Sequence, residues 1–183
     1  MQCDGHNTHF RTFRATLAGL LTTCLAAGCA QPAATKTENI GDAAACAALK
    51  TVIADAGTGF QSLRGSASQD YDHTRWDTKP ILPGTDCDIV AWGGGRTHYG
   101  CTWDKGNDAT ARADYDAGLR LVSRCLGSGW QVSHPAGHSG EASRFARSDS
   151  PTTVEIRYYR ERDPSRQWQT SLTIGPPITR DAR

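Results

Sequence analysis

Residues 87–103 read Cys-Asp-Ile-Val-Ala-Trp-Gly-Gly-Gly-Arg-Thr-His-Tyr-Gly-Cys-Thr-Trp, and this stretch constrains the fold more than any other. Two runs rich in β-branched and aromatic residues flank three glycines, the pattern of a β-hairpin with a short loop. A loop of Gly93, Gly94 and Gly95 sets Trp92 opposite Arg96, and counting outward sets Ala91 opposite Thr97, Ile89 opposite Tyr99 and Cys87 opposite Cys101. Opposed residues have Cβ atoms roughly 4.5–5.5 Å apart, within adjustment range of a disulfide. Turn chemistry and cysteine spacing therefore predict one register independently.

The same alternation divides the hairpin into two faces. Cys87, Ile89, Tyr99, Cys101 and Trp103 form the face predicted to be core. Asp88, Val90, Trp92, Arg96 and His98 form the other, and Trp92, Arg96 and His98 are the candidate binding surface. Exposed Trp and Arg are residue types favoured in binding hot spots. The competing reading packs Trp92 beneath a neighbouring loop.

Of seven cysteines, Cys3, Cys24 and Cys29 fall in or next to an N-terminal leader, leaving Cys46, Cys87, Cys101 and Cys125. With Cys87 assigned to Cys101, Cys46 is left to pair with Cys125. No C-x-x-C occurs, so a cysteine metal site has no support. Helical periodicity agrees with the second bridge. Residues 42–56 carry Cys46, Leu49, Ile53 and Ala56 on one stripe, with Asn39 or Asp42 as cap and Gly57 and Gly59 as stop. Residues 107–126 carry Ala111, Tyr115, Leu119, Val122 and Leu126, with Cys125 at the edge, Asn107 as N-cap and Gly127 as stop.

Residues 65–72 are polar and predict a loop, and 73–78 a short strand with Trp76 inward. Pro83-Gly84 predicts a turn. Strands follow at 130–133, 142–147, 152–160 and 167–174, separated by the loop 134–140 and the turn 163–166, and Pro176-Pro177 ends the last. Helix, strands, helix, strands with short turns predicts an α+β domain with two helices packed on one face of an antiparallel sheet and two disulfides. Two separate small sheets are the alternative.

The leader has Arg11 and Arg14 before a small, apolar run at 15–28. That run is too short for a membrane-spanning helix. Its end, Leu25-Ala26-Ala27-Gly28-Cys29, resembles the lipobox of bacterial lipoproteins. The resemblance covers the chain only as far as Cys29. It implies diacylglycerol on the Cys29 thiol, cleavage after Gly28 and acylation of the new amino terminus. An ordinary secretory peptide would leave Cys29 unmodified. Ala30 and Gln31 follow with no aspartate second, which in Gram-negative lipoproteins implies sorting to the outer membrane. The chain then divides into a signal peptide at 1–28, a lipidated flexible tether at 29–40, one periplasmic domain at 41–176 and a polar tail at 177–183. Cleavage takes Arg11 and Arg14 from 20 basic residues and Asp4 from 19 acidic ones, leaving 18 of each. That balance gives no reason to expect a nucleic-acid partner.

Little else carries chemistry. The triple glycine lacks the Lys-Ser/Thr and the helix of a phosphate loop. His134 and His138 are four apart, but Pro135 and Gly137 deny them a helical face for a metal. His138-Ser139-Gly140 lacks the context of a nucleophile elbow. Arg157, Arg160, Arg162 and Arg166, alternating with Glu155, Glu161 and Asp163, predict a solvated strand face. Nothing asks for a cofactor. The expectation is a non-catalytic binding module at the outer membrane with a protein partner, an immunity-type inhibitor of a toxic effector being one form. The alternatives are an envelope hydrolase using His98, His134 or His138, and a structural envelope component. If the leader reading holds, Cys29→Ser moves the protein from membranes into the soluble fraction, and unchanged fractionation refutes lipidation.

Overall fold

The computed structural model describes residues 37–178, apart from 71, 83, 84, 94 and 137–139. The lipobox, the tether as far as residue 36, the Pro83-Gly84 turn, the His138-Ser139 pair and the tail from 179 lie outside the described residues. The elements are α1 (Thr37–Asp55), two 3-10 turns (Ala56–Thr58 and Gln61–Leu63), β1 (Ala67–Asp70), β2 (His73–Asp77), β3 (Thr85–Trp92), β4 (Arg96–Trp103), α2 (Asp108–Leu126), β5 (Gln131–Ser133), β6 (Gly140–Ala146), β7 (Thr153–Arg160) and β8 (Trp168–Gly175).

All eight strands join one antiparallel sheet in the order β1-β2-β3-β4-β8-β7-β6-β5, so the alternative of two small sheets does not hold. The order is palindromic. Each half is a helix followed by a four-strand meander, and β8 pairs with β4 at the centre through Tyr99↔Ile174, Gly100↔Thr173, Cys101↔Leu172 and Thr102↔Ser171. The sheet dominates the fold, with the two helices and two disulfides completing it.

The hairpin takes the predicted register, with Trp92↔Arg96, Ala91↔Thr97, Ile89↔Tyr99 and Cys87↔Cys101 paired. Cys87 and Cys101 are bonded, their Cα atoms 4.1 Å apart. Gly95 has φ +76°, the left-handed conformation a loop this short requires and glycine adopts without a Cβ clash. On the core side Ile89 and Tyr99 have no exposed surface.

α2 starts where its cap predicts, the Asn107 side chain accepting from the Thr110 amide at 2.9 Å. It stops at Gly127, whose amide bonds back to the Ser123 carbonyl. Its buried stripe is Ala111, Tyr115, Gly118, Val122 and Cys125. Gly118 lets the helix approach β7 closely, because a Cβ there would lie 2.5 Å from Ile156 Cδ1 and 3.2 Å from Trp103 Cη2. Thr170 of β8 donates to the Ala111 carbonyl at 2.6 Å and fastens the first turn of α2 to that strand.

α1 begins at Thr37, so residues 37–40 are helical and the tether does not reach residue 40. The alanine-rich run from Asp42 carries the helix backwards across Gly41, a cost of about 1 kcal/mol that good helix formers offset. The inward row is Ala45, Leu49 and Val52, with Cys46 and Ile53 on its flank, which rotates the expected stripe slightly. Cys46 bonds Cys125, and Arg124 pairs with Asp42. The polar run at 65–72 contains the edge strand β1, all of whose residues are exposed. Backbone pairing with β2 makes it a strand, and apolar alternation cannot reveal such a strand.

The Cys46–Cys125 bridge spans 79 residues of chain. Its removal by Cys46→Ala with Cys125→Ala is expected to lower unfolding stability by about 3–5 kcal/mol in urea melts at one pH.

Candidate functional site

Parity on the hairpin places Trp92 and Arg96 opposite each other beside the loop, and both are exposed, Trp92 to 45 %. The Trp92 ring is not loose. It lies against the imidazole of His73 at the start of β2, ring centroids 4.8 Å apart. His73 is held in turn, its Nδ1 2.8 Å from Asp72 Oδ1 and its Nε2 3.5 Å from Asp70 Oδ2. Further along β2, Arg75 pairs with Asp88 at 2.7 Å. Burial pushes the Asp88 carboxyl above its ordinary range, against the pull of Arg75. Among the described residues Arg96 forms no salt bridge. Trp92 and Arg96 are thus backbone neighbours across the hairpin end, both exposed, with the Trp92 ring set against His73.

His98 does not join them. It is only 6 % exposed, and Val90 on the same face is 8 % exposed, so this face is not the open surface that alternation on the hairpin implied. The reason lies at the other end of the chain. His98 Nε2 donates to the Pro176 carbonyl at 2.9 Å, and Gly175 passes so close that a Cβ there would lie 2.8 Å from His98 Cδ2. Gly175 has φ +151°, which only glycine adopts readily, so the close approach depends on that residue. His98 Nδ1 is buried without a partner. Burial holds the His98 imidazole below its ordinary pKa, and Arg96 adds to the effect, against the Pro176 bond.

The polar strand face of β7 is also more covered than its sequence implies. Glu155 is 9 % exposed and takes Arg144 at 2.6 Å and Arg157 at 3.5 Å. Arg160 donates to the Arg166 carbonyl at 2.9 Å. Arg157 is thus engaged by Glu155 and Arg160 by the Arg166 backbone, while Arg162 stays exposed.

One serine–histidine contact is present that sequence alone did not single out. Ser143 Oγ lies 3.1 Å from His134 Nδ1 and 2.8 Å from the Tyr115 hydroxyl. Tyr115 was legible as an inward residue of α2, and a buried tyrosine hydroxyl needs a partner, which was the available signal. Ser143 has no exposed surface, while a nucleophile must be reached by its substrate. Among the described residues, no three His, Cys, Asp or Glu side chains converge as metal ligands, and no helix is long and apolar enough to cross a membrane.

Histidine in the unfolded chain titrates near pH 6.5. Because the folded His98 binds its proton less readily, the unfolded state takes up protons first as pH falls, and stability falls with it. Urea melts between about pH 7.5 and about pH 5.5 should show this loss, and His98→Gln should show less of it.

No known protein family, curated protein or solved structure matches the chain, so its function rests on the geometry of its own side chains.

Proposed function

We propose that the chain is an outer-membrane lipoprotein, anchored through Cys29 and facing the periplasm, whose domain binds a protein partner and does not turn over a substrate. The observation that carries this reading is the hairpin tip, where Trp92 is 45 % exposed yet braced by His73 on a hairpin closed by a disulfide. An aromatic anchor ordered before contact loses little conformational entropy on binding, and Trp with Arg is a pairing common at the centre of protein interfaces. An immunity-type inhibitor of a delivered toxic effector is one such role. In the same reading the fold is two-layered, α1 and α2 covering one side of the sheet. Its support is a single core shared by Leu49, Val52, Tyr115 and Val122 with Ile89, Tyr99 and Leu172.

A hydrolase reading draws on the contact of His134 with Ser143. It requires Ser143 to become accessible, and Ser143→Ala would then abolish activity on envelope esters or amides.

Affinity capture of the intact lipoprotein from solubilised membranes tests the tip. A stoichiometric partner is expected with the native chain. Trp92→Ala should weaken that complex by about 2 kcal/mol or more, with unfolding unchanged, and Arg96→Ala by less. A partner retained at full affinity by both variants would overturn the assignment of the tip.

A further inference from the structure

Beside the hairpin tip, the His73 imidazole is enclosed by one ring and two carboxylates. Its side chain is 11 % exposed, while those of Asp70 and Asp72 are open to solvent at 68 % and 70 %. Strand register brings the groups together. Asp70 ends β1 and pairs with His73 at the start of β2, and His73 pairs in turn with Trp92 of β3. The Trp92 and His73 rings overlap as a tilted stack, with 4.8 Å between centroids and 33° between planes. Two residues along β2, Arg75 is taken by Asp88 of β3 at 2.7 Å, and Asp88 feels the His73 charge. Arg96 of β4 stands across the hairpin from Trp92. The acids around the imidazole are thus Asp70, Asp72 and Asp88, and the bases are Arg75 and Arg96.

A neutral imidazole carries one N–H. An ionised carboxylate can only accept, so the 2.8 Å contact with Asp72 Oδ1 places that proton on Nδ1. Nε2 is then a bare lone pair. It is buried without a hydrogen-bond partner and meets Asp70 Oδ2 at 3.5 Å, where lone pair and carboxylate repel. A second proton, on Nε2, reverses this. It turns the repulsion into attraction, makes an ion-pair partner of each carboxylate and sets a cation against an indole face, the best of the aromatic faces for a cation. Ion pairs between exposed groups contribute little, but here the cation lies beneath Trp92 and is itself mostly covered. Asp70 and Asp72 reach opposite nitrogens of one ring, so the three side chains do not converge on a metal ion.

We propose that His73 is a proton switch for the tip: protonated, it clamps the Trp92 ring in place, and neutral, it leaves the ring freer to move. Acid therefore orders the aromatic anchor. The consequence for a protein partner rests on the reading of the tip as a binding surface, whereas the response of the ring does not and is measured without a partner.

Indole nitrogen relaxation in the isotope-labelled full chain tests this between about pH 7.5 and about pH 5.5, the span in which histidine changes charge. The Trp92 signal is identified by its loss in Trp92→Phe, and circular dichroism confirms the fold at both pH values. On acidification the Trp92 heteronuclear NOE should rise and its signal should shift, with the other indoles little changed. His73→Gln should abolish both effects. His98→Gln should leave both in place, which separates the switch from the buried histidine of β4. Should His73→Gln unfold, Asp70→Asn combined with Asp72→Asn serves instead. Both carboxylates are exposed and the imidazole stays, but the charges that hold its second proton are gone, so the response should shrink. Equal Trp92 order at the two pH values, or a response kept in full by a folded His73→Gln chain or by the double variant, would each overturn the proposal.

Discussion

The pairing of β8 with β4 holds the two halves of this domain together. Each half is a helix and a four-strand meander, and among the described residues the strands that meet across the middle are these two, over four residue pairs. Cys101 stands at the crossing, bonded covalently to Cys87 on one side and paired with Leu172 on the other. The hairpin disulfide fixes the register of β4 against β3, and so which β4 side chains share the face of Cys101. A slip of one residue would turn every β8 side chain over, sending Leu172 and Ile174 to the polar side. Over this seam the helices repeat the device, Cys46 joining α1 to α2. In a small domain with limited core, two cross-links placed at a central hairpin and between the helices restrict the unfolded chain and select one arrangement of halves.

What could be read from the sequence was whatever depends on neighbours in the chain. The hairpin register follows from loop length and cysteine spacing, and α2 starts and stops at Asn107 and Gly127 because caps are local. The seam was not legible, because nothing near Tyr99 says that Ile174 will lie beside it. β1 escaped because an exposed edge strand needs only a backbone partner. His98 shows the limit most clearly. Parity correctly set it on the side away from the cysteines, but parity speaks only of direction. Whether that side is open depends on Gly175 and Pro176, more than seventy residues further along. Of the candidate tip, Trp92 and Arg96 were legible and the brace from His73 was not, since it needs the register of β2 against β3.

The setting of Arg64 lay further still from sequence reading. Arg64 and Trp76 meet because the end of β2 returns beside the 3-10 turn, the Gly65 amide bonding the Asp77 carbonyl and Thr78 the Leu63 carbonyl. α1 is held by Ala45, Leu49 and Val52 in the core, by its bridge to α2 and by the Asp42–Arg124 pair.

Polar groups inside this domain are otherwise paired with care. Ser143 serves both Tyr115 and His134, and Glu155 serves both Arg144 and Arg157. Against that background the exceptions carry information. His73 Nε2 lacks a hydrogen bond but has the Asp70 carboxylate at 3.5 Å. His98 Nδ1 is an orphan acceptor walled in by Gly175, and it works as a standing cost that grows when acid adds a proton. Arg64 Nε is an orphan donor on a guanidinium held over the Trp76 ring and bonded to the Gly59 carbonyl. Both atoms are sealed from water, so in each the missing bond is a cost that the rest of the fold offsets.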